Sequence, residues 1–309
     1  MKPINEWTRE ELQKELTRYQ ELAALTLPRK EEFPNLPNID YFGTVDPYQG
    51  CVGGDYLAVI DFNRYGLKQK IRSAKKADNT ALSDALTKNL DSFGIAVADV
   101  SGHGIAESSI VTYLNAVFRT LLRKEIEQHG EVTTGFVKEL NHEVYKYTRS
   151  DFLIKEPHIS FLYGEIHNDG RFRYVTAGHP APIIFSNEFE KLQKLDESRT
   201  LASTPLGIFP SRFHLDADHF EMVAKGHHVD KIDVNELHLL MPGDIMFLYT
   251  DALTEQRGGE LNFAETRMED VLRAVKDEPA RAIHDAVKRE LFAFVPREDD
   301  LTLVVIKKK

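Results

Sequence analysis

Aspartates at the ends of apolar segments are the residues of this chain whose type and spacing best suit chemistry. Each can direct its carboxylate into a cleft without being buried inside a sheet. Converging carboxylates repel one another unless a cation neutralises them, and hard oxygen ligands in this number suit Mg²⁺ or Mn²⁺ rather than zinc. The positions are Asp55, Asp99, Asp251 and the pair Asp299-Asp300.

Each of these aspartates alone has a simpler explanation, because Asp is common in turns and at helix N-caps. Their order along the chain and the glycines beside them make the pattern more specific. Gly53-Gly54 precede Asp55, and glycine lets backbone carbonyls and water approach a metal ion closely. In chain order the motifs are GGD, DVSGHG, AGHPAP, YTDALTE and DDLT.

The elements that must position these motifs come in blocks of strands and helices rather than in βαβ alternation. This order favours an α+β fold with antiparallel sheets. The turn Asn168-Asp169-Gly170 between two apolar runs predicts a hairpin. We predict strands at 56–62, 93–100, 158–166, 171–179, 245–251 and 301–306, and helices at about 105–128, 132–148, 267–277 and 279–293.

The first segment predicts an amphipathic helix. Thr8 and Glu11 have the spacing of a capping box, and the apolar stripe is Leu12, Leu16, Tyr19 and Ala23. This stripe can pack on its own domain, which we favour, or on a second copy of the chain. The prolines that follow predict the end of the helix and an extended linker; they are Pro28, Pro34 and Pro37.

Composition excludes several classes of protein. The 309 residues carry a net charge of −10, whereas a duplex nucleic-acid binder normally needs a positive balance. The single cysteine, Cys51, excludes an internal disulfide and a cysteine-based zinc site. No apolar run reaches the ~18 residues of a membrane span, and the N-terminus has no apolar signal core. We therefore expect a cytoplasmic protein without a membrane span.

A basic run stands out in this acidic chain. Within 64–76 the cations are Arg64, Lys68, Lys70, Arg72, Lys75 and Lys76, with no acid between them. Because residues 63–92 are polar and poor in strand formers, we predict a solvated loop or hairpin tip here. A docking patch for an acidic partner is the alternative.

With its five motifs in this order, the chain resembles the bacterial SpoIIE/RsbU-like branch of the metal-dependent PPM (protein phosphatase 2C-like) Ser/Thr phosphatases. The resemblance extends from about Leu25 to Ile306. It implies a PPM-type αββα sandwich, two antiparallel sheets flanked by helices, with an N-terminal helical extension. The helix and proline-containing linker read from the residues give a dimer or regulatory segment at 1–38, and the resemblance implies a phosphatase domain at 39–309.

The resemblance implies a set of ligands for two Mn²⁺ or Mg²⁺ ions. Asp99 matches the family aspartate that bridges the two metals. The other implied ligands are the carboxylates of Asp55, Asp251 and Asp299 and the backbone carbonyl of Val100. Residues that would support these ligands are Gly54, Asp300, His103 and His179. We expect His179 to shape the floor of the cleft, since hard cations prefer oxygen.

The implied activity is hydrolysis of phosphoserine or phosphothreonine by a metal-activated water, with no side chain as nucleophile. The implied substrate is a phosphorylated STAS-domain anti-sigma-factor antagonist in a partner-switching pathway. One alternative is a catalytically weak or inactive PPM-like scaffold that binds a phosphoprotein or an adaptor. Another is a hydrolase of small phosphoesters that uses the same cleft.

Two positions depart from the family pattern. Ala58 stands where a second acid often follows the GGD aspartate, and Ala252 replaces the glycine of TDG. We expect both changes to weaken the metal site or alter its metal preference, and Ala252 to be strained if its φ is positive.

Only residues 1–38 precede the strands, so we expect control by a separate adaptor, by a homodimer through residues 8–27, or by substrate supply. His227-His228 is predicted to lie in a solvated turn.

Overall fold

The computed structural model describes most of the chain. His103 of the DVSGHG motif and the His227-His228 pair lie outside the described residues, so what was predicted for them stays a prediction. The described residues are 3, 6–28, 33–102, 104–148, 157–193, 195, 202–210, 235–237, 241–255, 257–258 and 261–309.

The first sheet has the C-terminal strand near its middle. Strand β13 (Leu301–Lys308) pairs antiparallel with β1 (Ile39–Asp46) on one side and with β10 (Ile245–Tyr249) on the other. Strand β10 then pairs with β6 (Ile183–Ser186), and β6 pairs with β7 (Lys191–Gln193). The order β1-β13-β10-β6-β7 brings the segments before Asp251 and after Asp300 side by side.

The second sheet is built from successive antiparallel neighbours. Its main strands are β2 (Asp55–Ile60), β3 (Ser92–Val100), β4 (Ile159–His167) and β5 (Phe172–Ala177). Two short strands extend it: β8 (Ala202–Ser203) runs parallel to β5, and β9 (Asn235–Leu237) runs antiparallel to it. The predicted hairpin at 168–170 is confirmed between β4 and β5. A separate small pair is formed by β11 (Arg257–Gly258) and β12 (Leu261–Asn262).

Helices cover the outer face of each sheet. Residues of α4 (Ile105–Gln128) and α5 (Thr134–Thr148) share a buried cluster with the second sheet. Residues of α6 (Phe263–Thr266), α7 (Met268–Val275) and α8 (Ala280–Phe294) share another cluster with the first. The layers therefore run helix, sheet, sheet, helix, which confirms the predicted αββα sandwich. None of the described helices has the length and apolar character needed to cross a membrane.

Successive side chains along a strand point alternately into the core between the sheets and into the core under the helices. In β2, Leu57 and Val59 face the other sheet, whereas Tyr56, Ala58 and Ile60 face the helices. All five are at most 2% exposed. This period of two is what a strand with both faces covered requires.

The segment between β2 and β3 corrects the prediction of a loop or hairpin tip. It forms a 3₁₀ turn (Phe62–Tyr65), helix α2 (Leu67–Lys76) and helix α3 (Thr80–Lys88). The buried side of α2 is Leu67, Ile71 and Ala74, a helical spacing that the high lysine content of the run obscured. The solvated part of the prediction holds, since five cations of the run are exposed: Arg64, Lys68, Arg72, Lys75 and Lys76.

Helix α1 (Arg9–Ala23) begins as predicted, at a capping box. The amide of Glu11 donates to Thr8 Oγ1 at 3.2 Å, and the amide of Thr8 donates to Glu11 Oε2 at 2.7 Å. Its C-terminal half packs on this chain: Tyr19 Oη lies 3.1 Å from the carbonyl of Ile105 and 2.8 Å from Ser108 Oγ. The N-terminal half is open, and Leu12 is 43% exposed.

Candidate active site

In the core between the two sheets, the inward-facing apolar residues of several strands end at a polar residue. These polar residues all lie at the same edge of the sandwich. In β2 the row of Leu57 and Val59 ends at Asp55, and in β3 the row of Ile95 and Val97 ends at Asp99. The same edge carries Ser160, which is opposite Asp99 in the β3–β4 register, and Thr250 and Thr302 of the other sheet. Opposed residues of an antiparallel pair share a face, so Asp55 and Asp99, which are register partners, point into one cleft.

The carboxylate of Asp55 links the two sheets. Its Oδ2 accepts hydrogen bonds from Thr250 Oγ1 at 2.9 Å and from Thr302 Oγ1 at 2.7 Å. The amide of Thr302 in turn donates to Thr250 Oγ1 at 2.9 Å. Asp55 is 3% exposed and Thr250 and Thr302 are 0% exposed. One oxygen of Asp55 is therefore held in place by hydroxyls from the opposite sheet.

Asp300 is occupied by backbone amides. Its Oδ1 accepts from the amide of Tyr48 at 2.5 Å, and its Oδ2 accepts from the amide of Gly54 at 2.6 Å. A Cβ at Gly53 would lie 2.0 Å from Asp300 Oδ2, so this carboxylate needs a glycine there. Asp300 fixes the GGD turn against β13, and its support of a metal ligand stays a prediction.

The loop after Asp99 turns its carbonyls towards Gly54. A Cβ at Gly54 would lie 2.5 Å from the carbonyl oxygen of Val100 and 2.7 Å from that of Gly102. Only a glycine at position 54 accommodates these oxygens without displacing the backbone. The carbonyl of Val100 thus lies at the same edge as the aspartates, and its role as a ligand stays a prediction.

Burial and neighbouring carboxylates both raise the pKa values of Asp99 and Asp251. Burial, and then the charges of Asp251 and Asp299, raise the pKa of Asp99 to about 7. Burial, and then the charges of Glu255 and Asp299, raise the pKa of Asp251 to about 6, although the amide of Ala252 favours the charged carboxylate. These carboxylates therefore sense one another, which is the condition that a divalent cation relieves.

The pKa of Asp55 is raised well above its ordinary value. Burial is the largest cause and the charge of Asp99 the next, while the hydroxyls of Thr302 and Thr250 oppose both. The two threonines thus favour the ionised carboxylate, the form that binds a metal.

His179 is buried beside Ser160 at the edge that carries the aspartates, and its role in shaping the floor of the cleft stays a prediction. It is 5% exposed, and its Nδ1 lies 2.7 Å from Ser160 Oγ, next to the register position of Asp99. Burial lowers the pKa of His179 to about 3, with the carbonyl of Tyr249 opposing part of the shift. His179 is therefore neutral and packs beneath the aspartates.

Some residues of the site were missed by sequence reasoning. Thr250 and Thr302 hold Asp55. Each lies two residues from an apolar residue that faces the other sheet, Leu248 and Val304 respectively, and this spacing could have identified them. Two further carboxylates were missed as well. Glu255 contributes to the raised pKa of Asp251, and Glu107, in the first turn of α4, lies within 3.4 Å of a Cβ built at Gly54.

The structure shows the orientation of Ala58 and the backbone conformation of Ala252, the two residues that depart from the family pattern. Ala58 is 0% exposed and faces the helix-side core, so an acid at this position would point away from the oxygens that hold Asp55. Among described residues other than glycine, positive φ occurs at Asp78 and Glu190. Ala252 is therefore not strained by its backbone.

The donor set matches the chemistry of Mg²⁺ or Mn²⁺, because it consists of carboxylates and a backbone carbonyl. The raised pKa values of Asp99 and Asp251 show that positive charge at this edge would be favourable. Among the described residues, no group of three or more acidic, histidine or cysteine side chains is gathered closely enough to enclose a metal ion. The residues thus fit the metal in type and share one edge of the sandwich, but they would have to move closer together to coordinate it.

Comparison with known proteins decides the family. The family described as "Stage II sporulation protein E (SpoIIE)" matches residues 89–309. The chain belongs to the SpoIIE family. The matched range includes Asp99, Asp251 and Asp299, whereas Asp55 lies outside it. No curated protein matches the chain.

Solved structures of SpoIIE-type phosphatase domains share the fold. The SiaA-PP2C domain of Pseudomonas aeruginosa has 17% identity and a TM-score of 0.65, with 97% of this chain and 98% of that chain covered. The RsbU and RsbW domains of a Mycobacterium tuberculosis protein have 18% identity and a TM-score of 0.61, with 93% and 63% covered.

The PP2C phosphatase domain and regulatory fragment of SpoIIE from Bacillus subtilis have 15% identity and a TM-score of 0.57, with 88% of this chain and 64% of that chain covered. This chain thus spans less than two thirds of the Mycobacterium and Bacillus structures. RsbX, at 12% identity and a TM-score of 0.51, was solved in complex with magnesium. At these identities the likeness shows a PP2C-type Ser/Thr phosphatase fold.

Proposed function

We propose that this SpoIIE-family protein is a metal-dependent phosphoserine and phosphothreonine protein phosphatase. The observation that carries the proposal is that five aspartates lie at one edge of the sandwich, where burial and then neighbouring carboxylates raise the pKa of Asp99 and Asp251. The PP2C-type fold of its structural neighbours supports the same conclusion. The domain division proposed is a regulatory segment at 1–38 and a catalytic domain at 39–309.

The chain's own residues have distinct parts in this mechanism. The proposed ligands are Asp55, Asp99, Asp251, Asp299 and the carbonyl of Val100. Two Mn²⁺ or Mg²⁺ ions, when bound, would supply charge that neutralises phosphate oxygens and lowers the pKa of an attacking water. Thr250 and Thr302 keep one oxygen of Asp55 oriented, and Asp300 fixes the GGD turn. The water forms the new bond to phosphorus as the bond to the serine oxygen breaks; the water gives up a proton, and the leaving serine oxygen takes one from solvent.

The proposed substrate is a phosphorylated STAS-domain anti-sigma-factor antagonist in a partner-switching pathway. Removal of its phosphate would let the antagonist capture an anti-sigma kinase. The family relation to SpoIIE and the fold likeness to RsbU domains support this choice. The proposal also assigns the protein to the cytoplasm, where such a substrate would be found.

The decisive experiment measures hydrolysis of p-nitrophenyl phosphate and of a phosphoserine STAS-domain protein with Mn²⁺, Mg²⁺ or EDTA. We expect turnover that requires a metal and is lost in Asp99→Asn. Asp84→Asn is the matched control, because Asp84 is an exposed aspartate on α3. Turnover of small phosphates but not of phosphoproteins would instead identify a small-phosphoester hydrolase.

One observation favours the second candidate, a catalytically weak or inactive scaffold that binds a phosphoprotein or an adaptor. The described side chains do not enclose a metal ion as they stand. Folded protein that shows no turnover with any metal, yet retains a phosphoprotein in a binding assay, would establish the scaffold.

We further propose that residues 8–27 contact an adaptor or a second copy of the chain. The support is that Leu12 and Leu22 are exposed on α1, at 43% and 66%, while Tyr19 ties the same helix to the start of α4. Leu16→Asp is expected to change the oligomeric state or the regulated activity, as measured by light scattering and phosphatase assay. Wild-type behaviour in both would reject this contact.

A further inference from the structure

A polar groove lies at the end of β2 remote from the aspartates. It is bounded by the 3₁₀ turn Phe62–Tyr65, the start of α2 and the C-terminal half of α4, and its volume is about 490 Å³. Sites for small ligands typically measure about 300–1,000 Å³. Asp55 and Ile60 are the two ends of β2, and at ~3.3 Å per residue the groove begins about 17 Å from Asp55. It is therefore distinct from the candidate active site.

Positive charge dominates this groove although the chain is acidic. Arg64, Arg119 and Arg123 line it together with the carboxylates of Asp61 and Glu127. Both carboxylates already have cationic partners. Asp61 Oδ2 lies 3.6 Å from Arg64 Nε, and Glu127 Oε1 lies 3.0 Å from the Nζ of Lys70. The lining thus keeps an excess of guanidinium charge over carboxylate charge in a chain whose net charge is −10.

Arg119 is held in position from the protein interior. Its Nε donates to Asn115 Oδ1 at 2.9 Å, and the hydroxyl of Tyr56 donates to the same oxygen at 2.8 Å. Tyr56 is 1% exposed, so this bridge is anchored in the core under α4. An arginine fixed before a ligand arrives loses less side-chain entropy on binding.

Arg123 lies one helical turn after Arg119, and residues four apart share a helix face. Its side chain has no hydrogen-bond or ion-pair partner among the residues that the structure describes. The unpaired guanidinium of Arg123 and the fixed one of Arg119 thus line the same groove, and guanidinium groups bind the oxygens of a phosphate group well.

We propose that this groove binds a small phosphate-bearing anion, either inorganic phosphate or a nucleoside monophosphate. Arg119 and Arg123 contact the phosphate oxygens, while Arg64, paired with Asp61, lines the part of the groove formed by the 3₁₀ turn. The site needs no metal ion, because guanidinium groups supply its positive charge. It is also independent of the phosphatase activity proposed above.

Calorimetric titration of the full chain in EDTA tests this site apart from the aspartate cleft, which repels anions when no metal is present. The probes are inorganic phosphate, AMP and adenosine. We expect phosphate and AMP to bind and adenosine not to bind. Arg123→Ala is expected to weaken binding by about 10-fold to 100-fold, as for a lost hydrogen bond to a charged group.

Lys75→Ala is the matched control. Lys75 is also exposed and unpaired among the described residues, but it lies on α2 outside the groove. We expect it to leave the affinity unchanged, whereas Arg119→Lys, which keeps the charge but not the fork, should weaken binding. Tighter binding of AMP than of phosphate identifies a nucleotide as the ligand, and equal affinities identify phosphate itself.

Two results would overturn the proposal. One is an absence of binding to phosphate and AMP at about 10 mM, a concentration that detects even weak sites. The other is an equal loss of affinity in Arg123→Ala and Lys75→Ala, which would mean that only the general charge of the surface attracts anions. Thermal unfolding of each variant verifies that its fold is intact.

Discussion

Asp55 is the residue at which the candidate site depends most on its neighbours. It is buried next to Asp99, and both features raise its pKa. The hydroxyls of Thr250 and Thr302 act in the opposite direction. Because these donors come from the other sheet, the protonation of this carboxylate and the alignment of the sheets depend on each other.

Thr302→Val tests this dependence. It removes the 2.7 Å hydrogen bond to Asp55 while keeping the volume of the side chain, and hydrogen bonds to charged groups are worth about 1.5–3 kcal/mol. We expect the free energy of unfolding in EDTA, measured with urea, to fall by about that amount. Thr302→Ser keeps the hydroxyl and should lose less. Equal losses in the two variants would show that the methyl group matters and the hydrogen bond does not.

Gly54 and Gly66 allow the cost of a steric clash to be compared with the cost of backbone strain. Gly54→Ala brings a Cβ to 2.5 Å from the carbonyl oxygen of Val100, a backbone atom that cannot rotate away. Gly66 has a φ of +70° and no atom within 4 Å of a Cβ built there, so Gly66→Ala meets only the strain of about 1 kcal/mol.

We expect Gly54→Ala to lower the free energy of unfolding by at least about 2 kcal/mol more than Gly66→Ala does. Urea denaturation of both variants beside the wild type provides the measurement. A smaller loss for Gly54→Ala would mean that the loop after Asp99 moves aside at little cost.

Residue types and their order predicted which side chains meet at the site, but not how they are held. The aspartates were identifiable because the GGD, DVSGHG and YTDALTE motifs are specific. The orientation of Ala58 and the contribution of Thr302 depend on which face of a strand meets the other sheet. Both faces are buried here, so an apolar strand sequence does not distinguish them.

Among the elements, α4 was predicted with its bounds and α2 was not predicted. The apolar face of α4 repeats over more than six turns and includes Leu114, Phe118 and Leu122, and such length makes periodicity unambiguous. Helix α2 spans Leu67–Lys76 and buries only three residues. With so short an apolar face, the polar and cationic residues dominated the pattern.

Helix α1 is connected to the start of α4 through a few contacts. Tyr19→Phe removes the hydroxyl that contacts the carbonyl of Ile105 and the hydroxyl of Ser108. We expect faster amide hydrogen exchange along α1, by roughly 5-fold to 10-fold for a loss of about 1 kcal/mol. Leu22→Ala is the control, since Leu22 is 66% exposed. Exchange that is equally fast in both variants would show that Tyr19 does not fasten this helix.

A cleft lined by carboxylates lies at one edge of the two-sheet core. The stability of the whole protein should therefore depend on pH when no metal is bound. The pKa of Asp99 is about 7 in the folded chain and about 3.9 in an unfolded chain. Between these values the folded state binds more protons, so stability falls as pH rises through this window.

Asp99→Asn should remove the part of this dependence that Asp99 contributes, while the raised pKa values of Asp55 and Asp251 keep the rest. We expect the variant to match the wild type near pH 4 and to exceed its free energy of unfolding by about 2 kcal/mol near pH 8 in EDTA. Urea denaturation across this pH range gives the measurement, with Asp84→Asn as the exposed control. Mn²⁺ is expected to reverse the order at pH 8, and a difference that does not vary with pH would contradict the assigned repulsion.

The two ends of the β2–β3 hairpin differ in how much change they tolerate. At one end Gly53, Gly54 and Asp300 leave no space for even a methyl group. The other end already accommodates residues 61–91 between paired strands, where a two-residue turn would suffice. For protein engineering this is the permissive end: a fluorescent domain inserted at the α2–α3 turn would report on the protein without disturbing its aspartates.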